Sequence, residues 1–169
     1  EEPEEGPLDL FAGVDAAEVK LAQAESRKAR IRSGAELLGD LLGVAPVVWQ
    51  RDGDRWFAST GAKEWISVIP FDGGFAPIRV GDDGFEFLFD RSVDAQTAMN
   101  IAQSAVPKNT LTKRDADWRN GLASEKQLRI LRLPPDTYIS RGEASERIDR
   151  KFFARAFKES GAVEIEESA

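Results

Sequence analysis

Hydrophobic and polar positions change their period twice along the chain. Over residues 14–42 the apolar side chains Val19, Leu21, Ile31, Leu37, Leu38, Leu41 and Leu42 stand among Ala16, Ala17, Ala22, Ala24 and Ala29, a helix-favouring mixture that Asp15 can cap. The apolar stripe is well formed only from Ala35 on. The first half therefore reads as an exposed connecting helix and the second half as the part that docks, with a break at Ser33-Gly34. From Val47 the pattern alternates. Five short runs, 47–50, 55–60, 64–69, 75–80 and 85–89, are punctuated by Asp52-Gly53-Asp54, Gly61-Ala62-Lys63, Asp72-Gly73-Gly74 and Gly81-Asp82-Asp83-Gly84. Asp and Gly supply the positive φ that tight hairpins need, so the pattern predicts a meander. Pro77 has no N–H to give a neighbouring strand, which predicts an edge or a bulge for its run.

After Asp90 the helical period returns. Ser92 or Asp94 can cap a helix over 95–105, whose apolar positions are Ala98, Met99, Ile101, Ala102 and Ala105 and which Pro107 ends. A basic linker over 109–121 carries Trp118, and two further helices follow. The first covers 124–131, with Ser124 and Gln127 spaced as a capping box; the second covers 143–157, with Ile148, Phe152 and Phe153 toward a core. Pro134-Pro135-Asp136 stops the first, and Ser140-Arg141-Gly142 begins the second. The fold class expected is α+β: an N-terminal helical arm, a small antiparallel β-meander of about five strands and C-terminal helices. In chain order this is an acidic linker (1–13), the arm (14–45), the meander with its helix (46–107), a basic helical pair (108–158) and an acidic, frayed tail (159–169).

Composition removes whole classes of chemistry. The 169 residues include no His and no Cys, so disulfides, Cys/His zinc sites, thiol nucleophiles and His-dependent relays are excluded. Only hard-cation sites made of carboxylates remain. Asp52 with Asp54, and Asp82 with Asp83, could form one or act as an acid/base pair, but hairpin chemistry accounts for all four. No apolar run reaches the ~18 residues of a membrane helix, and Glu1-Glu2-Pro3-Glu4-Glu5 is the opposite of a basic signal peptide. A soluble, cytoplasmic protein is expected, with no membrane partner. A chain that opens on Glu1 rather than Met also reads as a piece, or a processed form, of something longer.

The net charge of −7 conceals an uneven distribution. Residues 111–158 hold twelve Lys or Arg against seven acids, while the acids concentrate at the two ends. Since screening confines electrostatics to about 8 Å at physiological salt, a local basic surface can attract phosphate despite distant acidic tails. An ordinary solvated helix surface explains the same residues. Arg27-Lys28-Ala29-Arg30-Ile31-Arg32 carries the same two readings. The aromatics Trp49, Trp56, Phe57, Trp65, Phe75, Phe85, Phe87 and Phe89 suit either a stacking surface for single-stranded bases or the core of a half-buried sheet.

Two helix starts offer backbone N–H groups and positive dipole ends, with Lys126 in the first turn of one and Arg141 at the other. Along the last helix Arg147, Lys151, Arg155 and Lys158 recur at helical spacing on one face, with Arg150 off that stripe. Trp118, then Ala123-Ser124-Glu125-Lys126-Gln127 and Leu128, then Ser140-Arg141-Gly142-Glu143-Ala144-Ser145 and Ile148, resemble the C-terminal accessory region of a group of DEAD/DEAH-box superfamily 2 helicases. That group includes bacterial helicases and fungal mitochondrial branched-DNA helicases. Its two ATPase lobes are followed by a small β-meander, a tryptophan, an Ala-Thr-Glu-Lys-Gln helix start and a Thr-[Arg/Lys]-Gly-x-Ala-Ser helix start. Here Ser replaces Thr at both starts and keeps a capping hydroxyl. The resemblance spans roughly residues 46–158, and its specific part is the last forty or so. The spacer from Arg132 to Ile139 departs from it, with Pro134-Pro135 where the group has a Leu-Gly helix end.

The resemblance implies a non-catalytic accessory domain of an ATP-dependent DNA helicase working in DNA repair, contacting the phosphate backbone of branched or single-stranded DNA. The nucleic-acid-binding residues are then Trp118, Lys126, Gln127, Arg129, Arg141, Gly142, Arg147, Lys151 and Arg155. The chain has no Gly-x-x-x-x-Gly-Lys-[Ser/Thr] loop and no Asp-Glu-x-[Asp/His] box. It is therefore expected to be no enzyme and to carry no cofactor, with ATP and Mg²⁺ belonging to the motor lobes of the parent chain. The alternative is a protein-protein interaction module that docks a partner on the β-meander. A stand-alone hydrolase built on paired Asp residues and a metal ranks last.

Overall fold

The structure, a computed structural model, describes residues 16–42, 45–109 and 112–167. The acidic stretch 1–13, the cap at Asp15 and the side chains of Leu37, Leu38, Leu41 and Leu42 lie outside what it describes. The fold is α+β. Helix α1 (Ala16–Leu42) leads into β1 (Gln50–Asp52), β2 (Arg55–Ser59), β3 (Trp65–Phe71), β4 (Gly74–Gly81) and β5 (Gly84–Phe87). Then come α2 (Ala95–Ala105), a 3-10 turn at Asp117–Asn120, α3 (Glu125–Ile130), α4 (Arg141–Glu159) and α5 (Ala162–Glu167).

The sheet is an antiparallel meander in the order β1-β2-β3-β4-β5. Three of its hairpins turn in two residues; in the one that joins β3 to β4, Phe71 pairs with Gly74 and Asp72 and Gly73 both take positive φ, 44° and 75°. Two left-handed central residues give the turn the twist of the flanking strands. Pro77 overturns its expected place, because β4 is an interior strand hydrogen-bonded to β3 and β5. The Pro77 carbonyl accepts from the Leu88 N–H at 2.9 Å, one residue past the end of β5. The missing proline N–H thus removes one half of the last rung, at the end of β5, and leaves the rest of the ladder intact.

The sheet is buried on both faces, not half-buried as its alternation suggests. On one side Trp56, Ala58, Ile66, Val68 and Phe75 pack against Ala95, Ala98, Met99 and Ala102 of α2. On the other, Phe57, Trp65, Ile69, Ile78 and Val80 pack against Phe153 and Phe157 of α4 and Ala162 of α5. The aromatics read as a possible stacking surface are therefore mostly core: Trp49, Trp56, Phe57, Trp65 and Phe75 are buried. Phe153 stacks on Phe57, with ring centroids 4.0 Å apart and planes 10° from parallel.

Both ends of the described chain differ from expectation. Helix α1 runs through Ser33-Gly34 without a break. Gly34 is where the helix meets the sheet, for a Cβ there would lie 2.4 Å from Phe75 Cε2. Residues 17–30 of α1 are exposed, as a connecting arm requires. The acidic C-terminal segment, expected to fray, forms α5 and docks: Ala162 is fully buried, and Val163 and Ile165 pack beside it. Arg55 fixes it there, with its guanidinium 4.1 Å from the Phe157 ring centroid and 3.5 Å from Glu166. An acidic tail became an element because its apolar residues alternate with its charges on a helical period.

Candidate nucleic-acid interface

The two hydroxyl-bearing helix starts lie side by side. Residues 121–123 run antiparallel to 139–141, with Ala123 N–H donating to the Ile139 carbonyl at 3.0 Å and Arg141 N–H to the Gly121 carbonyl at 2.6 Å. Ser124 and Gln127 close the expected capping box on α3. Ser140 caps α4 by accepting from the Glu143 N–H at 3.0 Å. Gln127 then reaches across, its Nε2 donating to the Arg141 carbonyl at 3.3 Å.

This packing revises several roles. The N–H groups expected to greet phosphate are partly consumed: Gln127 N–H by Ser124, Glu143 N–H by Ser140 and Arg141 N–H by Gly121. Gln127 is a clasp between the two helices. Gly142 is buried, and a Cβ on it would come within 2.9 Å of the Arg119 Cβ, so glycine is there for close approach of the 3-10 turn. Trp118, half-buried in that turn, has the Arg119 guanidinium 5.2 Å from its ring centroid.

The link between the helices uses an unusual residue. Arg132 sits at φ 57°, the left-handed region, and donates to Arg129, while Leu133 N–H donates to the Leu128 carbonyl. This is the helix end that normally takes glycine. Here the Leu131-Arg132 pair makes that end, and Pro134-Pro135 follows it.

Arg129, Arg147 and Arg155 are exposed but engaged, each with a glutamate one helical turn away: Glu125 at 3.2 Å, Glu143 at 2.5 Å and Glu159 at 2.9 Å. Glu159 holds the Arg155 guanidinium above its ordinary pKa through that hydrogen bond. Lys126, Arg141 and Lys151 are exposed and make no ion pair among the described residues, and the same holds for Arg150 and Lys158. The exposed positions of α4 thus hold Arg141, Arg147, Arg150, Lys151, Arg155 and Lys158 against only Glu143 and Glu159. Of the residues expected in the core on this helix, Phe153 is buried, Ile148 is half-buried and Phe152 is 41% exposed; Phe157 takes the second core position.

The inner side of α4 lines a cleft that the sequence does not announce. The cleft, of about 620 Å³, opens between α4, the 3-10 turn and one end of the sheet, walled by Trp65, Trp118, Phe152, Arg119, Glu146 and Asp149. Burial pushes the Asp149 carboxyl up to about 6; Arg119 opposes the shift and Glu146 adds to it. Arg119 itself is paired with Glu146. One signal was present in the sequence: Asp149 falls on the same helical stripe as Phe152, Phe153 and Ala156, where a charge is out of place.

Of the paired aspartates, Asp54, Asp82 and Asp83 are turn residues and Asp52 ends β1. Asp52 and Asp54 lie 3.9 Å from Arg55 and 3.6 Å from Arg51, and among the described residues no group of three or more His, Cys, Asp or Glu could hold a metal. None of the described helices is long and apolar enough to cross a membrane. No protein-family model, curated protein or solved structure matches this chain.

Proposed function

We propose that this chain is a non-catalytic nucleic-acid-binding module, the accessory domain of a cytoplasmic superfamily 2 DNA helicase, that holds phosphate backbone along the outer side of α4 and at the adjoining helix starts. The observation that carries this reading is the charge of α4: six exposed cations stand against two acids, and four of those cations have no partner among the described residues. Arg141, Lys151 and Lys158, with Lys126 at the neighbouring helix start, are the first contacts. Arg147 and Arg155 join them, because exposed pairs one turn apart contribute only about 0.3–0.5 kcal/mol and yield readily to a phosphate. Such contacts position nucleic acid and read little sequence. ATP hydrolysis belongs to motor lobes elsewhere in the parent protein.

Docking of a partner on a face of the meander is the weaker reading, since the chain's own helices cover both faces. The test is titration of labelled single-stranded, duplex and forked DNA with the protein and with Arg141→Glu and Lys151→Glu. Each reversal should weaken binding to every DNA to a similar degree, as loss of a phosphate contact does. Absence of binding at low salt, or reversals without effect, would discard this reading.

A further inference from the structure

We infer that the cleft on the inner side of α4 is a binding site for a compact organic cation, an alkylammonium or guanidinium group held by the Asp149 carboxylate beside the aromatic rings of Trp118 and Phe152. The inference does not rest on nucleic-acid binding, whose first contacts Arg141, Lys151 and Lys158 lie outside the cleft wall; Arg155 alone borders both surfaces. The first support is size, because about 620 Å³ lies within the ~300–1,000 Å³ range of small-ligand sites. The second is an unmet demand. Asp149 is half-buried in the cleft wall, yet it makes no hydrogen bond or ion pair among the described residues.

The neighbouring charges leave that demand open. Arg119 faces Asp149 from the 3-10 turn but is committed to Glu146, and Arg155 is committed to Glu159. The remaining charged side chains in the wall are Lys63 and Asp82, so two carboxylates face one unpaired cation. An anionic ligand would meet Asp149 unfavourably, and a purely apolar one would bury the carboxylate without a partner. A cation satisfies the carboxylate and gains from the aromatic faces. The fold already uses this chemistry on its own side chain: Arg55 lies 4.1 Å from the Phe157 ring centroid and 3.5 Å from Glu166.

The site would be sensitive to pH. Asp149 binds the cation as a carboxylate, and its carboxyl titrates near 6. Glu146 and Arg119 act on it from α4 and the 3-10 turn, and Lys63 and Asp82 face the cleft from the strand connections. Between pH 7.5 and pH 5.0 the ionised fraction falls about ten-fold, and affinity should fall with it.

Calorimetric titration of the protein with agmatine, with the quenching of tryptophan fluorescence as a second readout, tests the site. Saturable binding is expected at pH 7.5, about ten-fold weaker at pH 5.0, and lost in Asp149→Asn. An acetyl-Gly-Arg-Gly-amide arm separates the two sources of such a cation. Tighter binding of the peptide assigns the site to a partner's arginine, and tighter binding of agmatine to a free amine. Equal affinity at the two pH values, unchanged affinity in Asp149→Asn, or equal binding of uncharged butyramide would overturn the inference. Should the variant fail to fold, the pH comparison and the butyramide control on the unaltered protein still decide it.

Discussion

The two sides of α4 obey opposite rules. Its inner side is fixed by close packing, with Phe153 stacked on Phe57, Phe157 under Arg55, and Gly142 pressed on Arg119. Its outer side is a row of cations held by nothing stronger than exposed pairs with Glu143 and Glu159. Stability and the proposed binding thus reside in different residues of one helix. Substitutions on one side should change folding and leave phosphate contacts alone, and substitutions on the other should do the reverse.

The largest expected effect is on the inner side. Phe153→Ala removes a fully buried ring from the middle of a core cluster, and should cost about 3–5 kcal/mol in urea unfolding. A loss below about 1 kcal/mol would mean that α4 does not hold the sheet as described.

Asp149 comes next and has the opposite sign. Its carboxyl titrates near 6 in the native state against about 3.9 when unfolded, so the folded protein binds that proton more tightly. The resulting stabilisation is fully present below about pH 4 and is lost as pH rises through 6. At neutral pH the protein therefore bears the cost of a half-buried, ionised carboxylate. Asp149→Asn should raise stability at pH 7.5 by on the order of 1–3 kcal/mol, and the gain should fade as pH is lowered to 4. Urea unfolding at the two pH values measures both.

The smallest effect sits between the helices. Arg132→Gly relieves a left-handed residue at the end of α3, and should stabilise by about 0.5–1 kcal/mol despite the entropy of glycine. Destabilisation would show that the Arg132 side chain contributes more than its backbone costs.

Local signals in the sequence specify local structure. Helix α2 has the limits that its capping and period imply, Asp94 caps it by accepting from Thr97 N–H at 2.9 Å, and the capping box of α3 is formed as Ser124 and Gln127 suggest. That hydrogen bond from Thr97 also holds the Asp94 carboxyl below its ordinary pKa. What escaped was set by distant partners. Ser33-Gly34 looks like a break until Phe75 is placed against Gly34, and Pro77 looks like an edge until β5 is seen to end beside it. Gln127 and Gly142, expected as binding residues, also hold the helix starts and the 3-10 turn together, a role only the fold reveals. The cleft draws its wall from α4, the 3-10 turn and one end of the sheet, segments far apart in the chain, and only the misplaced charge of Asp149 on an apolar stripe hinted at it.

The central claim is that the outer side of α4 holds phosphate. Its most direct measurement is the affinity for a labelled forked DNA across a salt series, for the protein and for the doubly reversed Arg141→Glu/Lys151→Glu. The claim predicts that log affinity falls linearly with log salt, that the double variant loses about two units of that slope, and that its unfolding midpoint stays unchanged. A slope that is the same in both proteins, or no binding at low salt, would contradict it.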